Sequence, residues 1–466
     1  MQTDHNIYMM RQKDSFLSKL FFLYVFFLPL GTFLKLPTEG VGNAIKYMSF
    51  NIAMVGSFYI YLNKHSTYNV KVLNLFTKQY MFMVVYSALA AIVLTFVLVN
   101  PPEQPLSCIL GDVVLYFEVL LSVYFVQYCL RFESDTNTIY KALNWQIVIS
   151  LGFGLFQFFA MSGVGVMMAL YDYLSVVLDL APMERLIKMQ RGVTIFGPEP
   201  SSLTSYCLVT IPYMLYRVFF VKDNKWRYLI GLAAFFFIFL ASNSTQNLMV
   251  LFSLVVCFLV LSFKNKLYKL FLVGAFIAGM TVTILTTVDY SGGGDYVQKD
   301  NRSLEYVLLG KIQDRDNYST QMRASTIINN MKIFASNIVC GVGDGCQGFW
   351  YKENVPLWCR SSSEVNDLII NHKIPNGGGA FFPSYLSAYG LIGVVFLMVF
   401  VSNYRKLLSK SQIFADTQLL MIYRLSMIIL MLACWYSMSF REVPAAIFVL
   451  VLPLCLMDKN KKLQHL

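Results

Sequence analysis

Charged residues are scarce in this 466-residue sequence, at 14% of the chain, whereas a soluble globular protein carries about a quarter. Hydrophobic residues make up 57%. There are only four histidines, and neither a Cys-x-x-Cys pair nor a His-Glu-x-x-His motif occurs. The composition therefore excludes an ordinary soluble domain, and we expect no metal site and no cofactor.

Uncharged apolar stretches recur along the chain, for example at 79–99 and 380–402. Stretches of this length cross the roughly 30 Å hydrocarbon core of a bilayer as α-helices, whereas barrel strands would be short and alternating. The pattern predicts an all-α polytopic membrane protein with about 12 transmembrane helices. The predicted spans are 16–35, 46–62, 79–99, 106–130, 143–171, 200–220, 228–242, 246–262, 270–288, 380–402, 419–438 and 443–457.

The distribution of Lys and Arg predicts the orientation of these spans. With both termini in the cytoplasm, every second loop carries cations, whereas the short outer loops at 100–105 and 243–245 carry none. The net charge of +11 then reflects orientation and contact with anionic membrane lipid, and no nucleic-acid partner is needed to explain it.

Two predicted outer segments, 172–199 and 289–379, are much longer than the others. Long segments cross a membrane regardless of charge, so their cations need another explanation, and we expect the functional residues there. The predicted organisation is a transmembrane bundle at 1–288 with about nine helices, a large outer loop at 289–379, and C-terminal transmembrane helices at 380–466.

The first outer segment ends in "QRGVTIFGPEPSSLTSY", which brings Arg191 and Glu199 to the mouth of a predicted span. Pro198 and Pro200 restrain the turn, and the first helical N–H groups are free to meet an anion or Glu199. A helix cap with an Arg191–Glu199 ion pair would explain these residues. Ionisable groups at membrane depth are costly, however, and we favour a functional role.

Within the large loop, apolar residues recur between Thr320 and Val339 at helical spacing, which predicts an amphipathic helix against the membrane with Arg323 in its first turns. The glycine-rich segment 341–345 is a typical helix stop. Arginine suits a pyrophosphate because its planar fork donates paired hydrogen bonds and stays charged. The other candidate ligands of a pyrophosphate or glycan, which could equally be solvated loop charges or ion-pair partners, are Arg302, Arg315, Arg360, His372 and Arg441.

Cys340, Cys346 and Cys359 share the large loop. If the loop faces an oxidising periplasm, one disulfide among the three is plausible, with the pairing left open.

The chain resembles the O-antigen polymerase and ligase superfamily of bacterial envelope glycosyltransferases. The resemblance rests on R-G-x-x-x-F-G-x-E-P-S at Arg191–Ser201, on an Arg-bearing helix that runs into G-V-G-x-G at 341–345, and on Y-G-L-I-G at Tyr389–Gly393. It covers roughly the C-terminal two thirds of the chain, and each motif alone is weak. Their order, with one dominant outer loop, is more specific and implies a GT-C-like architecture.

One departure bears on the branch of the family. Members often carry a His-Asn pair about eleven residues before the first glycine of the last motif, where this chain has Gly379-Ala380, and His372 lies several residues early. In the ligase branch that histidine is implicated in the chemistry. Its absence in register favours the polymerase branch and leaves the role of His372 open.

The resemblance implies oligosaccharide repeat units on undecaprenyl pyrophosphate as substrates, at a site facing the periplasm of the inner membrane. A polysaccharide chain-length regulator is a candidate partner. Arg191 and Arg323 would bind the donor and acceptor pyrophosphates, in an order that stays open, and stabilise the charge on departure. Glu199 would act as the base for the attacking hydroxyl or would fix Arg191.

Two rival functions differ in what they require. A ligase would transfer finished polymer to lipid A core with the same fold and arginines. A flippase or other polysaccharide transporter would more often carry ionisable residues inside its spans. Beyond the outermost turns of the predicted spans such residues are few here, namely Asp112, Glu118 and Arg424.

Overall fold

The chain is known from a computed structural model, which describes residues 15–30, 47–63, 71–97, 105–177, 180, 182–188, 192–197, 200–262, 318–356, 360, 365–366, 380–436 and 443–456. These residues form helices, turns and connecting segments, with no β-strand among them. The all-α prediction is confirmed for this part of the chain. The predicted span 270–288 and residues 289–317 of the predicted loop 289–379 lie outside the described residues.

The described part of the chain consists mainly of α-helices. In chain order the α-helices of the described part are α1 Ser15–Phe26, α2 Met48–Asn63, α3 Lys71–Val97, α4 Pro105–Tyr128, α5 Thr136–Met161, α6 Gly165–Val177, α7 Met183–Lys188, α8 Thr210–Phe220, α9 Lys225–Ala241, α10 Thr245–Ser262, α11 Tyr318–Ser336, α12 Gly348–Asn354, α13 Phe381–Leu408, α14 Thr417–Tyr436 and α15 Pro444–Cys455.

Several helices have the length and composition of membrane spans. Five described segments are long and apolar enough to cross a bilayer, namely Lys71–Val93, Ile109–Glu133, Thr136–Met161, Phe381–Leu408 and Thr417–Trp435. Shorter apolar helices are Ser15–Phe26, Gln246–Ser262 and Pro444–Cys455. The chain thus has the helices of an α-helical membrane protein, and the count of twelve spans stays a prediction.

Helix α3 exposes large apolar side chains and buries two polar ones. Leu89 and Val93 are 57% and 59% exposed, whereas Gln79 and Ser87 on the same helix are buried. A water-soluble protein does not expose apolar side chains in such continuous stripes. The arrangement fits a helix that turns apolar side chains towards lipid and packs both apolar and polar side chains against neighbouring helices.

Two predicted spans differ from the structure. The segment 143–171 forms two helices, because Gly163 adopts φ 91°, the left-handed conformation in which helices commonly end. The segment 200–220 begins as a 3-10 helix at Pro200–Cys207, and α8 starts only at Thr210. Pro212 has no N–H to donate to the carbonyl of Leu208, so α-helical bonding cannot continue back through this point.

The core of the bundle is built from aromatic contacts between α1, α4 and α15. The Tyr24 hydroxyl lies 2.7 Å from Ser122 Oγ. The Tyr24 ring packs edge-on against Phe125 at 5.8 Å and in a tilted arrangement against Phe448 at 6.2 Å. At the other side of α4, the rings of Tyr80 and Tyr116 stack at 4.4 Å.

Candidate functional site

The segment Gly192–Gly197, the middle of the first motif, lies buried against the helix bundle. The N–H of Val193 donates to the carbonyl of Ala241 at 3.1 Å, where α9 ends. A Cβ on Gly192 would overlap that carbonyl oxygen, so only glycine allows the two backbones to approach this closely. The segment is therefore held inside the protein, in contrast to an ordinary surface loop.

Gln157 of α5 fixes this segment through both ends of its amide. Its Oε1 accepts the N–H groups of Thr194 and Ile195 at 3.0 and 2.9 Å. Its Nε2 donates to Thr194 Oγ1 and to the Tyr171 hydroxyl, both at 3.0 Å. Gln157 is fully buried. An irregular buried segment lacks the hydrogen-bond partners that a regular helix or strand supplies to its main chain. Here one side chain supplies them.

Ile195 has a strained backbone in the middle of this segment. Its φ is 54°, the left-handed region that β-branched residues rarely occupy. Such a conformation costs on the order of 1–3 kcal/mol and persists only where the surroundings over-determine it. The strain lies between Arg191 and Glu199, the two residues that the sequence singles out.

Asn247, in the first turn of α10, fixes the far end of the motif. Its Nδ2 donates to the carbonyl of Pro200 at 2.6 Å and to Ser242 Oγ at 3.0 Å. The side chain is fully buried, and its Oδ1 has no hydrogen-bond partner among the described residues. The polar turn between α9 and α10 therefore positions the motif as well as closing a hairpin.

Arg323 lies on α11, which the sequence predicts as a helix. The face that α11 buries is polar, however, and differs from the predicted apolar one, since Met331 is 37% exposed. Among the α11 side chains that the structure describes, the buried ones are Ser325, Thr326, Asn329, Asn330 and Ile333. Arg323 precedes Asn330 by seven residues, or two turns, along α11.

Asn330 anchors α11 to its neighbours. Its Oδ1 accepts hydrogen bonds from Ser387 Oγ at 2.9 Å and from the Tyr351 hydroxyl at 3.3 Å. Burial raises the pKa of Tyr351, so this hydroxyl keeps its proton and acts as a donor. Asn329 is also fully buried, but neither of its amide atoms has a partner among the described residues.

The segment after α11 inserts into a break in α13. At Gly390 the backbone leaves helical geometry, with φ 56° and ψ −152°. In an unbroken helix the N–H groups of Leu391 and Ile392 would donate to the carbonyls of Ser387 and Ala388. They donate instead to Ile338 and Val339, at 2.8 and 3.2 Å.

The carbonyls released by this break also find new donors. Val342 N–H donates to Ser387 at 2.9 Å, and Gly343 N–H donates to Ala388 at 2.8 Å. Two helical hydrogen bonds are thus replaced by four between segments, which satisfies the backbone groups that the kink releases. The second and third motifs of the sequence meet directly at this junction.

Beyond the junction, the glycine-rich segment contacts α3. Asp344 is 2% exposed, and its N–H donates to Ser87 Oγ at 3.1 Å. The next N–H, from Gly345, donates to Gln347 Oε1 at 3.1 Å, and Gln347 Nε2 donates to the carbonyl of Ser384 at 3.3 Å. A predicted outer loop therefore reaches into the bundle through a connected set of polar contacts.

Two of the three loop cysteines differ sharply in environment. Cys340 is exposed and Cys346 is buried, and both are free thiols. Burial, with a smaller contribution from the nearby Asp344 carboxyl, raises the pKa of Cys346 to about 12. The predicted disulfide is therefore not formed between these two residues, and Cys359 lies outside the described residues.

The structure describes only part of the predicted site. Arg323 has a described backbone, and Arg360 is exposed in a turn, where its carbonyl accepts from Asn366 Nδ2 at 2.6 Å. The other predicted residues lie outside the described residues, namely Arg191, Glu199, Arg302, Arg315, His372 and Arg441. Their roles and mutual distances stay predictions, although Gly192 and Pro200 locate the two ends of the first motif.

Sequence reasoning missed the side chains that hold the motifs in place, chiefly Gln157, Asn247, Asn330 and Gln347. A signal existed for Gln157, an amide alone within the apolar run "LGFGLFQFFAM", because a buried amide needs partners. For the others, only the three-dimensional contacts reveal the role.

Metal binding has no obvious place in the described ranges, where no group of three or more His, Cys, Asp or Glu is arranged to hold an ion. Comparison with models of known protein families and with curated proteins gives no match to this chain.

Proposed function

We propose that this chain polymerises undecaprenyl-pyrophosphate-linked oligosaccharide repeat units at the outer face of the bacterial inner membrane, as a metal-independent glycosyltransferase. A hydroxyl of the incoming unit attacks the anomeric carbon of the growing chain. The bond from that carbon to the pyrophosphate breaks, undecaprenyl pyrophosphate leaves, and the hydroxyl proton passes to a base. Lipid pyrophosphate is already a good leaving group, so guanidinium charge can stabilise its departure without a metal ion.

The observation that carries this proposal is the junction at Gly390. It joins the glycine-rich segment after α11 to Tyr389–Gly393, and these are two of the three segments on which the family resemblance rests. Catalysis by arginine electrostatics requires a guanidinium held in place before the reaction begins. The junction and Asn330 anchor the helix that carries Arg323, which supports the role proposed for that residue.

Asn329 supports the same assignment. A buried amide that lacks partners is costly and calls for a ligand or an ordered water. Its Oδ1 accepts and its Nδ2 donates, a combination that suits sugar hydroxyls. Since Asn329 lies on the helix of Arg323, we propose that it contacts the glycan next to the pyrophosphate.

The test is the lipopolysaccharide pattern of a strain that lacks this gene, complemented with variants of the full chain. We expect wild type to restore a ladder of repeats, and Arg191→Ala and Arg323→Ala to leave core capped with a single repeat. Arg323→Lys keeps the charge but not the planar fork, so we expect shorter chains at reduced yield. Arg227→Ala is the matched control, because Arg227 is exposed at the start of α9 and should support a normal ladder.

Other patterns contradict the proposal in distinct ways. Core without repeats, together with polymer retained on its lipid carrier, would identify the chain as a ligase. A normal ladder in the deletion strain would exclude both enzymes for this glycan and favour the transporter.

A further inference from the structure

A polar cavity of about 440 Å³ lies at the end of α5 opposite to Gln157. Thr138, which lines the cavity, and Gln157 are separated by 19 residues of one α-helix, or roughly 28 Å along its axis. The cavity is therefore a different place from the proposed transferase site. Its lining residues are Ser18, Glu133, Ser134, Asp135, Asn137, Thr138, Tyr140, Lys141, Asn144, Tyr213, Arg217 and Tyr228.

Two side chains of this cavity have a polar atom that lacks a hydrogen-bond partner among the described residues. Ser134 is 5% exposed, and its Oγ has no hydrogen-bond partner among the described residues. The same holds for Arg217 Nε. Arg217 stacks over the Tyr228 ring at 5.0 Å, a contact that engages its charge but uses none of its N–H donors. Lys141, which is exposed, adds a second cation to the lining.

Two acceptor side chains of the cavity are already engaged by donors of the protein. Asp135 caps α5, where its Oδ1 accepts Thr138 N–H and Thr138 Oγ1, each at 3.1 Å. Asn144 Oδ1 accepts the hydroxyls of Tyr213 at 3.0 Å and Tyr228 at 2.8 Å. The carboxyl groups of Glu133 and Asp135 balance the charges of Lys141 and Arg217, so a ligand gains most from acceptor atoms placed at Arg217 Nε, Ser134 Oγ and Lys141.

The backbone that forms one wall of the cavity is also unusual. Cys129–Glu133 is a π-helical turn between α4 and α5, and Ser134 N–H closes it on the carbonyl of Cys129 at 2.8 Å. Single π-helical turns are rare in proteins, and those that occur often lie at functional sites. This turn brings Glu133, Ser134 and Asp135 into the lining of the cavity.

We infer that this cavity binds a phosphate group, held by Arg217, Lys141 and Ser134. Phosphate oxygens accept several charge-assisted hydrogen bonds, and arginine is well suited to them. The distribution of Lys and Arg predicts that this end of α5 faces the cytoplasm, so the phosphate belongs either to a headgroup of the inner leaflet or to a soluble phosphate ester.

The two sources can be separated with the purified full-length protein. In one arm, the melting temperature is followed in a zwitterionic detergent as inorganic phosphate replaces chloride at constant ionic strength. In the other, it is compared in nanodiscs of phosphatidylcholine with and without phosphatidylglycerol. A ligand that binds the folded state raises the melting temperature in proportion to its occupancy. Stabilisation by phosphate points to a soluble ligand, and stabilisation by phosphatidylglycerol alone points to the lipid.

In whichever arm responds, Arg217→Gln and Lys141→Gln should weaken the apparent affinity about tenfold or more. Lys141→Gln remains informative if Arg217→Gln fails to fold, because Lys141 is exposed. Arg227→Gln is the matched control, since Arg227 is exposed on the neighbouring helix and does not line the cavity. The inference is overturned if wild type responds in neither arm, or if all three variants behave alike.

Discussion

The N–H of Val342 donates to the carbonyl of Ser387 at 2.9 Å, in the place that Leu391 N–H would take in an unbroken α13. A predicted outer loop is in this way built into the hydrogen bonding of a membrane-type helix. Motion of α11 relative to α13 would break several hydrogen bonds at once. The position of Arg323 is therefore tied to the geometry of the kink.

Substitution of Gly390 by alanine should damage this junction. Gly390 has φ 56°, and a Cβ there would lie 2.6 Å from the carbonyl oxygen of Val339 and 2.7 Å from Gly341 N. We expect Gly390→Ala to lower the free energy of unfolding by about 1–3 kcal/mol from backbone strain alone, and more with the clash. Thermal unfolding of the purified protein measures the change.

The matched control is Gly152→Ala. Gly152 lies within α5, and a Cβ at this position would meet no atom of the described residues within 4 Å. This variant should therefore be unchanged or stabilised by about 0.5–1 kcal/mol, because alanine favours the helix over glycine. Equal melting temperatures for the two variants would argue against the kinked junction.

Replacing Gln157 by methionine should loosen the first motif. Methionine has a similar length but no oxygen, so Thr194 and Ile195 N–H would lose their acceptor, at a cost of roughly 1–3 kcal/mol each. We expect faster amide hydrogen exchange in Gly192–Gly197 and a loss of polymer. Phe159→Leu, at an exposed position of the same helix, should change neither quantity. Unaltered exchange in Gln157→Met would show that the clamp is not needed.

Asn330→Ala should release α11 from the bundle. Ser387 Oγ and the Tyr351 hydroxyl would both lose their shared acceptor. We expect increased hydrogen exchange along α11 and shorter polymer chains, because Arg323 would no longer be held in one position. Ser336→Ala is the control, at an exposed position of the same helix. If the amides of α11 exchange as slowly in Asn330→Ala as in wild type, this role of Asn330 is contradicted.

Cys346 should resist alkylation while Cys340 reacts. Burial raises the pKa of Cys346 to about 12, so its thiol is neutral at pH 8 as well as enclosed, whereas Cys340 is exposed. Mass spectrometry after iodoacetamide treatment of the folded protein should find label on Cys340 first, and on both after denaturation. Label on Cys346 at a comparable rate in the folded protein would show that the segment opens.

The same raised pKa has a consequence for stability. The folded state holds the Cys346 proton more tightly than the unfolded chain does. This contribution to stability is therefore complete below about pH 9 and is lost as the pH rises towards about 12. Cys346→Ser should make the free energy of unfolding less dependent on pH in the alkaline range.

Much of the fold could be read from apolar periodicity and length. The predicted spans 79–99 and 419–438 correspond to α3 and α14, because about 20 uncharged residues in a row leave few structures besides a helix. The break at Gly163 and the 3-10 helix at Pro200 were missed, because glycine and proline permit such interruptions without requiring them. The break at Gly390 could not be predicted for the same reason, because a glycine permits a helix to break without requiring it.

Sequence alone determined the helical, apolar character of this chain and pointed to the segments around Arg191, Arg323 and Gly390, since composition and local patterning act over short distances. Only the tertiary structure decided that Ile338–Gly343 enters the bundle at Gly390 and that Gln157 holds the first motif. Residues far apart in the chain supply the partners for those main-chain groups, and no local pattern specifies which distant partner a buried polar group will find.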